Sequence, residues 1–198
     1  VSDKPIGKVV IEDGIYSITN MLSDEVSITV ANGSKLDSAN VQMEQKEDGI
    51  SQLWEIKAVS DGYYKVLNVG SGKALDIRWG AIENGTNIQQ YEWNESDAQL
   101  WRFIDAGDDY CYIQSKLGPV IDISGAVCTI ETNVQISELA EADSQKWQLT
   151  NPLYRIMGES NVTVGQMATT FNTYVNRYGG RYNSELYAEK GAATIEEL

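Results

Sequence analysis

The sequence predicts an all-β domain in which one four-stranded unit is used three times. Gln52-Leu53-Trp54, Gln99-Leu100-Trp101 and Gln145-Lys146-Trp147 place their tryptophans 47 and then 46 residues apart. A fixed period of that size marks a repeated supersecondary unit. Aligning the three motifs brings shared segments into the same order upstream. The first is Gly14-Ile15-Tyr16-Ser17-Ile18, Gly62-Tyr63-Tyr64-Lys65-Val66 and Asp109-Tyr110-Cys111-Tyr112-Ile113. All the segments are short and rich in Tyr, Val and Ile. Turn-forming clusters such as Gly70-Ser71-Gly72 and Glu83-Asn84-Gly85 separate them, which is strand-and-turn chemistry.

The second segment of each repeat reads Lys35-Leu36-Asp37, Ala74-Leu75-Asp76 and Val120-Ile121-Asp122. The third reads Val41-Gln42-Met43, Ile88-Gln89-Gln90 and Val134-Gln135-Ile136, and the Gln-x-Trp motif opens the fourth. Four strands taken three times give twelve. From Asp76 to Gln99 and from Asp122 to Gln145 is 23 residues, but from Asp37 to Gln52 only 15. Repeat one is therefore expected to have lost eight residues (23 − 15) between its second and third strands.

Charge narrows the ligand. Lys and Arg number 15 against 29 Asp and Glu, for a formal net charge of −14. Nucleic acid, which needs clustered bases, is excluded as a partner. Anionic lipid surfaces and anionic wall polymers are disfavoured for the same reason, and a neutral ligand fits. The chain has no histidine, which removes the commonest general base and metal ligand. Cys111 and Cys128 are too few for zinc, and their spacing leaves open whether they pair. The acidic cluster Asp105, Asp108, Asp109 lacks the ligand spacing of a calcium loop and reads as a solvated face. No metal or cofactor is expected. No apolar run approaches the ~20 residues needed to span a bilayer.

After Thr150 the character changes. Asn151-Pro152 is a stop signal. Thr163-Val164-Gly165-Gln166 is a capping box that predicts a helix over 164–176. Gly179-Gly180 follows, and Thr194-Ile195-Glu196-Glu197 opens a second capping box just before Leu198. Residues 1–150 thus read as one domain, and 151–198 as a linker and the mainly helical start of another. The Met-less start at Val1 reads as a processed or excised piece.

Three Gln-x-Trp motifs in register, each with an upstream acid, resemble the ricin B-type lectin family over residues 13–150. The resemblance implies a β-trefoil, a six-stranded barrel capped by three hairpins. It also implies carbohydrate binding, in bacteria commonly as a module attached to a secreted glycoside hydrolase. The tail, from Ile156-Met157-Gly158-Glu159 through Asn161-Val162-Thr163 to Ala193-Thr194-Ile195, resembles the opening segment of bacterial N-acetylglucosaminidase domains. In those domains the catalytic carboxylate lies further on, so no catalytic residue is assigned here.

A hexose presents an apolar face and a ring of hydroxyls, so its recognition needs an aromatic platform and a carboxylate or amide. The resemblance implies that the acid of the second segment bonds hydroxyls, that an aromatic fifteen residues later stacks, and that an Asn before the Gln-x-Trp motif helps. Repeat two fits best, with Asp76, Gln89 and Tyr91, and with Trp79 and Asn84 on its connecting loop. Ala98 replaces the Asn. Repeat three keeps Asp122 and Gln135 but has Ser137 at the platform position and Ser144 for the Asn; repeat one has Asp37, with Glu44 where the aromatic belongs. Asp122, Gln135 and Asp37 are weaker candidates. Trp54, Trp101 and Trp147 are assigned to the core and Gln52, Gln99 and Gln145 to bonding local backbone.

The resulting expectation is a non-catalytic carbohydrate-binding module of a secreted or cell-surface bacterial enzyme. Its partner would be a neutral glycan containing galactose, xylose or N-acetylglucosamine, with an adjacent catalytic domain in the parent chain. Two alternatives stand beside it: a fragment of a peptidoglycan-degrading N-acetylglucosaminidase, and an interaction trefoil whose sugar sites have decayed.

Overall fold

The computed structural model describes residues 7–47 and 49–151. Over them run thirteen strands. They are β1 (Lys8–Val9), β2 (Gly14–Asn20), β3 (Ser23–Val30), β4 (Val41–Gln45), β5 (Leu53–Ser60), β6 (Tyr63–Asn68) and β7 (Ala74–Ile77). Then come β8 (Ile88–Tyr91), β9 (Trp101–Gly107), β10 (Tyr110–Ser115), β11 (Val120–Ile123), β12 (Val134–Ser137) and β13 (Trp147–Thr150). Twelve of them are four per repeat; β1 is an addition and pairs with β9.

Six strands close on themselves in the antiparallel order β2–β5–β6–β9–β10–β13–β2. The other six form the hairpins β3–β4, β7–β8 and β11–β12. Closure leaves no exposed edge in the barrel. Alternation drives the packing: in β6, Tyr64, Val66 and Asn68 are buried while Tyr63, Lys65 and Leu67 between them are half-buried. At the centre Trp54, Trp101 and Trp147 are fully buried. Their indole Nε1 groups donate to the carbonyls of Ile28, Leu75 and Ile121 at 3.0, 3.0 and 3.1 Å, each across 26 residues of chain. Burying such a ring is favourable because its one polar group finds a partner.

These equivalent bonds correct the alignment of repeat one. The counterpart of Leu75-Asp76 and Ile121-Asp122 is Ile28-Thr29 in β3, not Leu36-Asp37. Thr29 precedes Gln52 by 23 residues (52 − 29), as in the other repeats. Nothing has been lost from the loop: Val30 to Val41, Ile77 to Ile88 and Ile123 to Val134 all span 11 positions. Lys35-Leu36-Asp37 lies in the β3–β4 loop, where Leu36 is exposed. A shared Leu-Asp pair mimicked a strand because the true strand carries Thr29 where the other repeats carry Asp76 and Asp122.

The three hairpins meet on the pseudo-threefold axis. There Asn40 donates to Asn133, Asn133 to Asn87 and Asn87 to Asn40, at 3.0, 2.8 and 3.0 Å. Within the ring each side chain gives and accepts once, and Asn40 also donates to Gln42, so a polar ring is satisfied where the three hairpins converge. Cys111 and Cys128 are free thiols. Burial, reinforced by the Asp105 carboxylate, pushes the Cys111 thiol up to about 12. Burial alone raises Cys128 to about 11, so neither is a reactive thiolate at neutral pH. The helix expected over 164–176, both capping boxes and the glucosaminidase-like segment lie outside the described residues.

Candidate functional site

The β7–β8 hairpin pairs Asp76 with Gln89 and Ala74 with Tyr91. Directly opposed residues share a face, so Asp76, Gln89 and Tyr91 project together. Gln89 Nε2 donates to Asp76 Oδ1 at 2.8 Å. Asp76 is 6% exposed, and burial raises its carboxyl above the ordinary value against the opposing hydrogen bonds of Gln89 and Gln99. Tyr91 is 38% exposed beside it. The residue across the strand from it, Ala74, is small and buried. The result is an oriented carboxylate at the foot of an open aromatic.

Trp79 sits in the 3₁₀ turn Arg78–Gly80 that follows β7. It is 84% exposed, and its φ is +58°. The matching positions, Asn32 at +55° and Gly125 at +68°, carry residues suited to left-handed backbone. A bulky ring there is strained by about 1 kcal/mol or more, and it recovers little of that by burial. Arg78 lies over the indole with its guanidinium carbon 4.3 Å from the ring centroid. One face of the ring is thereby covered. Arg78 was not singled out from the sequence, and neither was Trp93, whose ring lies 5.4 Å from Lys65 Nζ.

The Gln-x-Trp glutamines tie down the loop after each hairpin. Gln99 Nε2 donates to the Glu92 carbonyl and its Oε1 accepts from Asn94 N, both at 2.9 Å. Gln52 does the same with Gln45 and Glu47, and Gln145 with Glu138 and Ala140. Ala98 is buried under this loop, as Ser144 is in repeat three.

The other repeats present different surfaces. In repeat three, Ser137 Oγ donates to Asp122 Oδ2 at 2.7 Å and Ile123 N donates to Asp122 Oδ1 at 2.8 Å. The serine hydroxyl, not Gln135, thus takes the carboxylate, and no aromatic stands above it. In repeat one, Thr29 stands where the acid belongs, and its hydroxyl donates to the Ser27 carbonyl. There Gln42 donates to Glu44, which stands at the platform position.

Two candidates each lie at the hairpin of the following repeat. Asn84 Oδ1 accepts from Glu138 N at 2.8 Å, which places this repeat-two residue at the repeat-three hairpin. Asp37 Oδ1 accepts from Glu92 N at 2.9 Å, which places this repeat-one residue beside Tyr91. Asp37 and Asn84 are 47 residues apart (84 − 37), so the repeat period would have shown their equivalence. Their identities differ, and an alignment on Leu-Asp concealed it. Among the described residues no group of three or more His, Cys, Asp or Glu is arranged to hold a metal ion.

Comparison with known proteins agrees with this fold. No curated protein matches the chain. Among solved structures, the designed three-fold symmetric protein ThreeFoil is 33% identical with a TM-score of 0.68, covering 70% of this chain and 99% of its own. An exo-β-1,3-galactanase from Clostridium thermocellum, 1,3Gal43A, is 30% identical with a TM-score of 0.68; the match covers 72% of this chain and 31% of that enzyme. The Rhizoctonia solani agglutinin shares the fold at 20% identity and a TM-score of 0.64, over 73% of this chain and 99% of its own. The family model for the ricin-type β-trefoil lectin domain-like proteins matches twice, over residues 8–91 and 51–137. Those overlapping placements span all three hairpins and five of the six barrel strands, all but β13, and the chain belongs to this ricin-type β-trefoil lectin family.

Proposed function

We propose that the chain is a non-catalytic carbohydrate-binding module whose working site is in repeat two. Tyr91 stacks on the apolar face of a neutral hexose, with Trp79 as a second platform at the rim. Asp76, held by Gln89, accepts hydrogen bonds from two vicinal hydroxyls. The observation that carries this reading is the Asp76–Gln89 bond at the foot of an exposed Tyr91, a combination that the other two described hairpins lack. The strained, exposed Trp79 supports it, since a bulky ring at that backbone angle is costly and gains little burial. With one site the affinity is weak, in the sub-millimolar to millimolar range, or roughly 4–5 kcal/mol.

The 30% identity to part of a galactanase supports galactose as the first sugar to try, beside xylose and N-acetylglucosamine. It also supports service as the targeting module of a larger secreted or cell-surface glycan-degrading enzyme. Such weak binding is useful there because it raises the local concentration of an attached active site on a polymer. The test is a glycan array followed by NMR titration with those three sugars, on the wild type and on Tyr91→Ala. Wild type should bind one of them, and the variant about tenfold more weakly, the worth of one aromatic stack. Equal binding by both proteins would refute the site. Blank arrays for both would favour an interaction trefoil, the reading that the two incomplete repeats support.

The pH dependence has a definite sign. Asp76 binds hydroxyls as a carboxylate, and its folded-state pKa is raised by burial. Affinity should therefore fall on acidification sooner than it would for an exposed carboxylate. A raised carboxyl pKa penalises the ionised folded state, so protonating Asp76 relieves that penalty and does not promote unfolding. Asp37 has the opposite shift, lowered chiefly by its hydrogen bond to Lys73. Its contribution to stability is present above the ordinary carboxylate pKa and is lost only as pH falls through the depressed one. Titrations and thermal melts over the acidic range should show affinity lost while the melting temperature holds or rises.

A further inference from the structure

We infer that Asp37, contributed by the first repeat, is a positioning residue of the sugar site in the second, setting the place of the Tyr91 ring. This rests on the binding reading above. The β7–β8 ladder ends at the Ala74–Tyr91 pair, so the platform sits at the hairpin's fraying end. Asp37 joins the two strands just past that point. Its Oδ1 accepts from the amide of Glu92, the residue after Tyr91, at 2.9 Å. The same oxygen meets the ammonium of Lys73, the residue before Ala74, at 2.7 Å.

The loop that carries Asp37 grips the hairpin a second time. Gln90 Nε2 donates to the carbonyls of Ser34 and Leu36 at 2.9 and 2.8 Å, while Ser71 Oγ donates to Gln90 Oε1 at 2.6 Å. The amide of Ser38 bonds the Gln90 carbonyl, and the Gln90 amide bonds the Ala39 carbonyl. Both residues flanking the platform are thus held by repeat one. The molecule contains its own control: Asn84 makes the equivalent bond to Glu138 N, but beyond Ser137, where there is no ring to position. That pair also shows that an uncharged amide oxygen suffices for the backbone bond. Lys73 keeps the Asp37 carboxyl below the ordinary range, so the clamp stays ionised where Asp76 has begun to protonate.

The test compares the full chain with Asp37→Ala, Asp37→Asn and Asn84→Ala. NMR titration with galactose, xylose and N-acetylglucosamine is paired with amide exchange at Glu92. Asp37→Ala should weaken binding of whichever sugar the wild type takes by about tenfold, because a platform displaced by a fraction of an ångström loses its stack. The Glu92 amide should exchange faster in the same variant. Asp37→Asn should restore both properties to within about twofold, and Asn84→Ala should leave affinity unchanged. If Asp37→Ala does not fold, Asp37→Ser takes its place. Wild-type affinity in the Ala variant would overturn the inference. Asp37→Asn as weak as the Ala variant would also overturn it, pointing to charge and not position. If the wild type binds none of the three sugars, the binding reading falls first and this inference with it.

Discussion

Replacing Asp76 by asparagine should abolish measurable sugar binding and leave the domain folded. The substitution keeps shape and an oxygen that can accept from Gln89 Nε2, the bond now 2.8 Å long. What it removes is the charge. Hydrogen bonds to a carboxylate are about twice as strong as neutral ones, at roughly 1.5–3 kcal/mol each. Two contacts weakened by about half amount to about 1.5–3 kcal/mol, or roughly ten- to more than hundredfold in affinity. From a millimolar start that is beyond detection. Stability moves little, because the lost acceptor at Gln99 is offset by relief of the burial that raises the Asp76 carboxyl. Melting should shift by a few degrees at most. Asp122→Asn is the matched control, since the Ser137 hydroxyl and the Ile123 amide already occupy that carboxylate. Binding by Asp76→Asn within threefold of wild type, on the order of 0.7 kcal/mol, would sink the assignment.

Trp101→Ala should bring the domain close to unfolding. The indole is fully buried, and its Nε1 donates to the Leu75 carbonyl at 3.0 Å. Truncating such a ring costs about 3–5 kcal/mol in lost transfer energy and cavity, and orphaning a buried carbonyl adds about 1 kcal/mol or more. Domains of this size are stable by only about 5–15 kcal/mol. Urea melts should show the midpoint fall by most of its value. Trp101→Phe keeps an aromatic ring while removing the donor and part of the bulk, so it should lose about 1–3 kcal/mol, less than the alanine variant. The link to function is short: Leu75 immediately precedes Asp76 in β7, so the tryptophan that fills the barrel also holds the strand bearing the carboxylate. A loss below about 2 kcal/mol for Trp101→Ala would mean that the ring is not a core element.

The repeat was legible because burial imposes periodicity. Three tryptophans at 47- and 46-residue spacing point to three equivalent environments, and the structure gives each indole an equivalent carbonyl partner 26 residues upstream. The strands of repeats two and three were readable for the same reason, as were the Asp76, Gln89 and Tyr91 positions on one hairpin. Repeat one misled because similarity of two adjacent letters, Leu-Asp, outweighed the even loop lengths that Ile28-Thr29 would have restored. The asparagine ring at the axis also has the repeat period, at 40, 87 and 133, yet nothing local distinguishes those residues from turn formers.

Sequence alone determined how many units there are, which residues each must bury, and which repeat still pairs an acid with an aromatic. Those properties follow from local alternation and period, and a linear string carries both. Only the tertiary structure decided which repeat each loop serves. Asp37 lies beside Tyr91, and Asn84 beside Ser137, because barrel closure packs each hairpin against the loop of its predecessor. It likewise decided that Asp122 is spent on Ser137. A hydrogen bond across repeats depends on how the units dock, and docking is a property of the closed threefold assembly that no single repeat encodes.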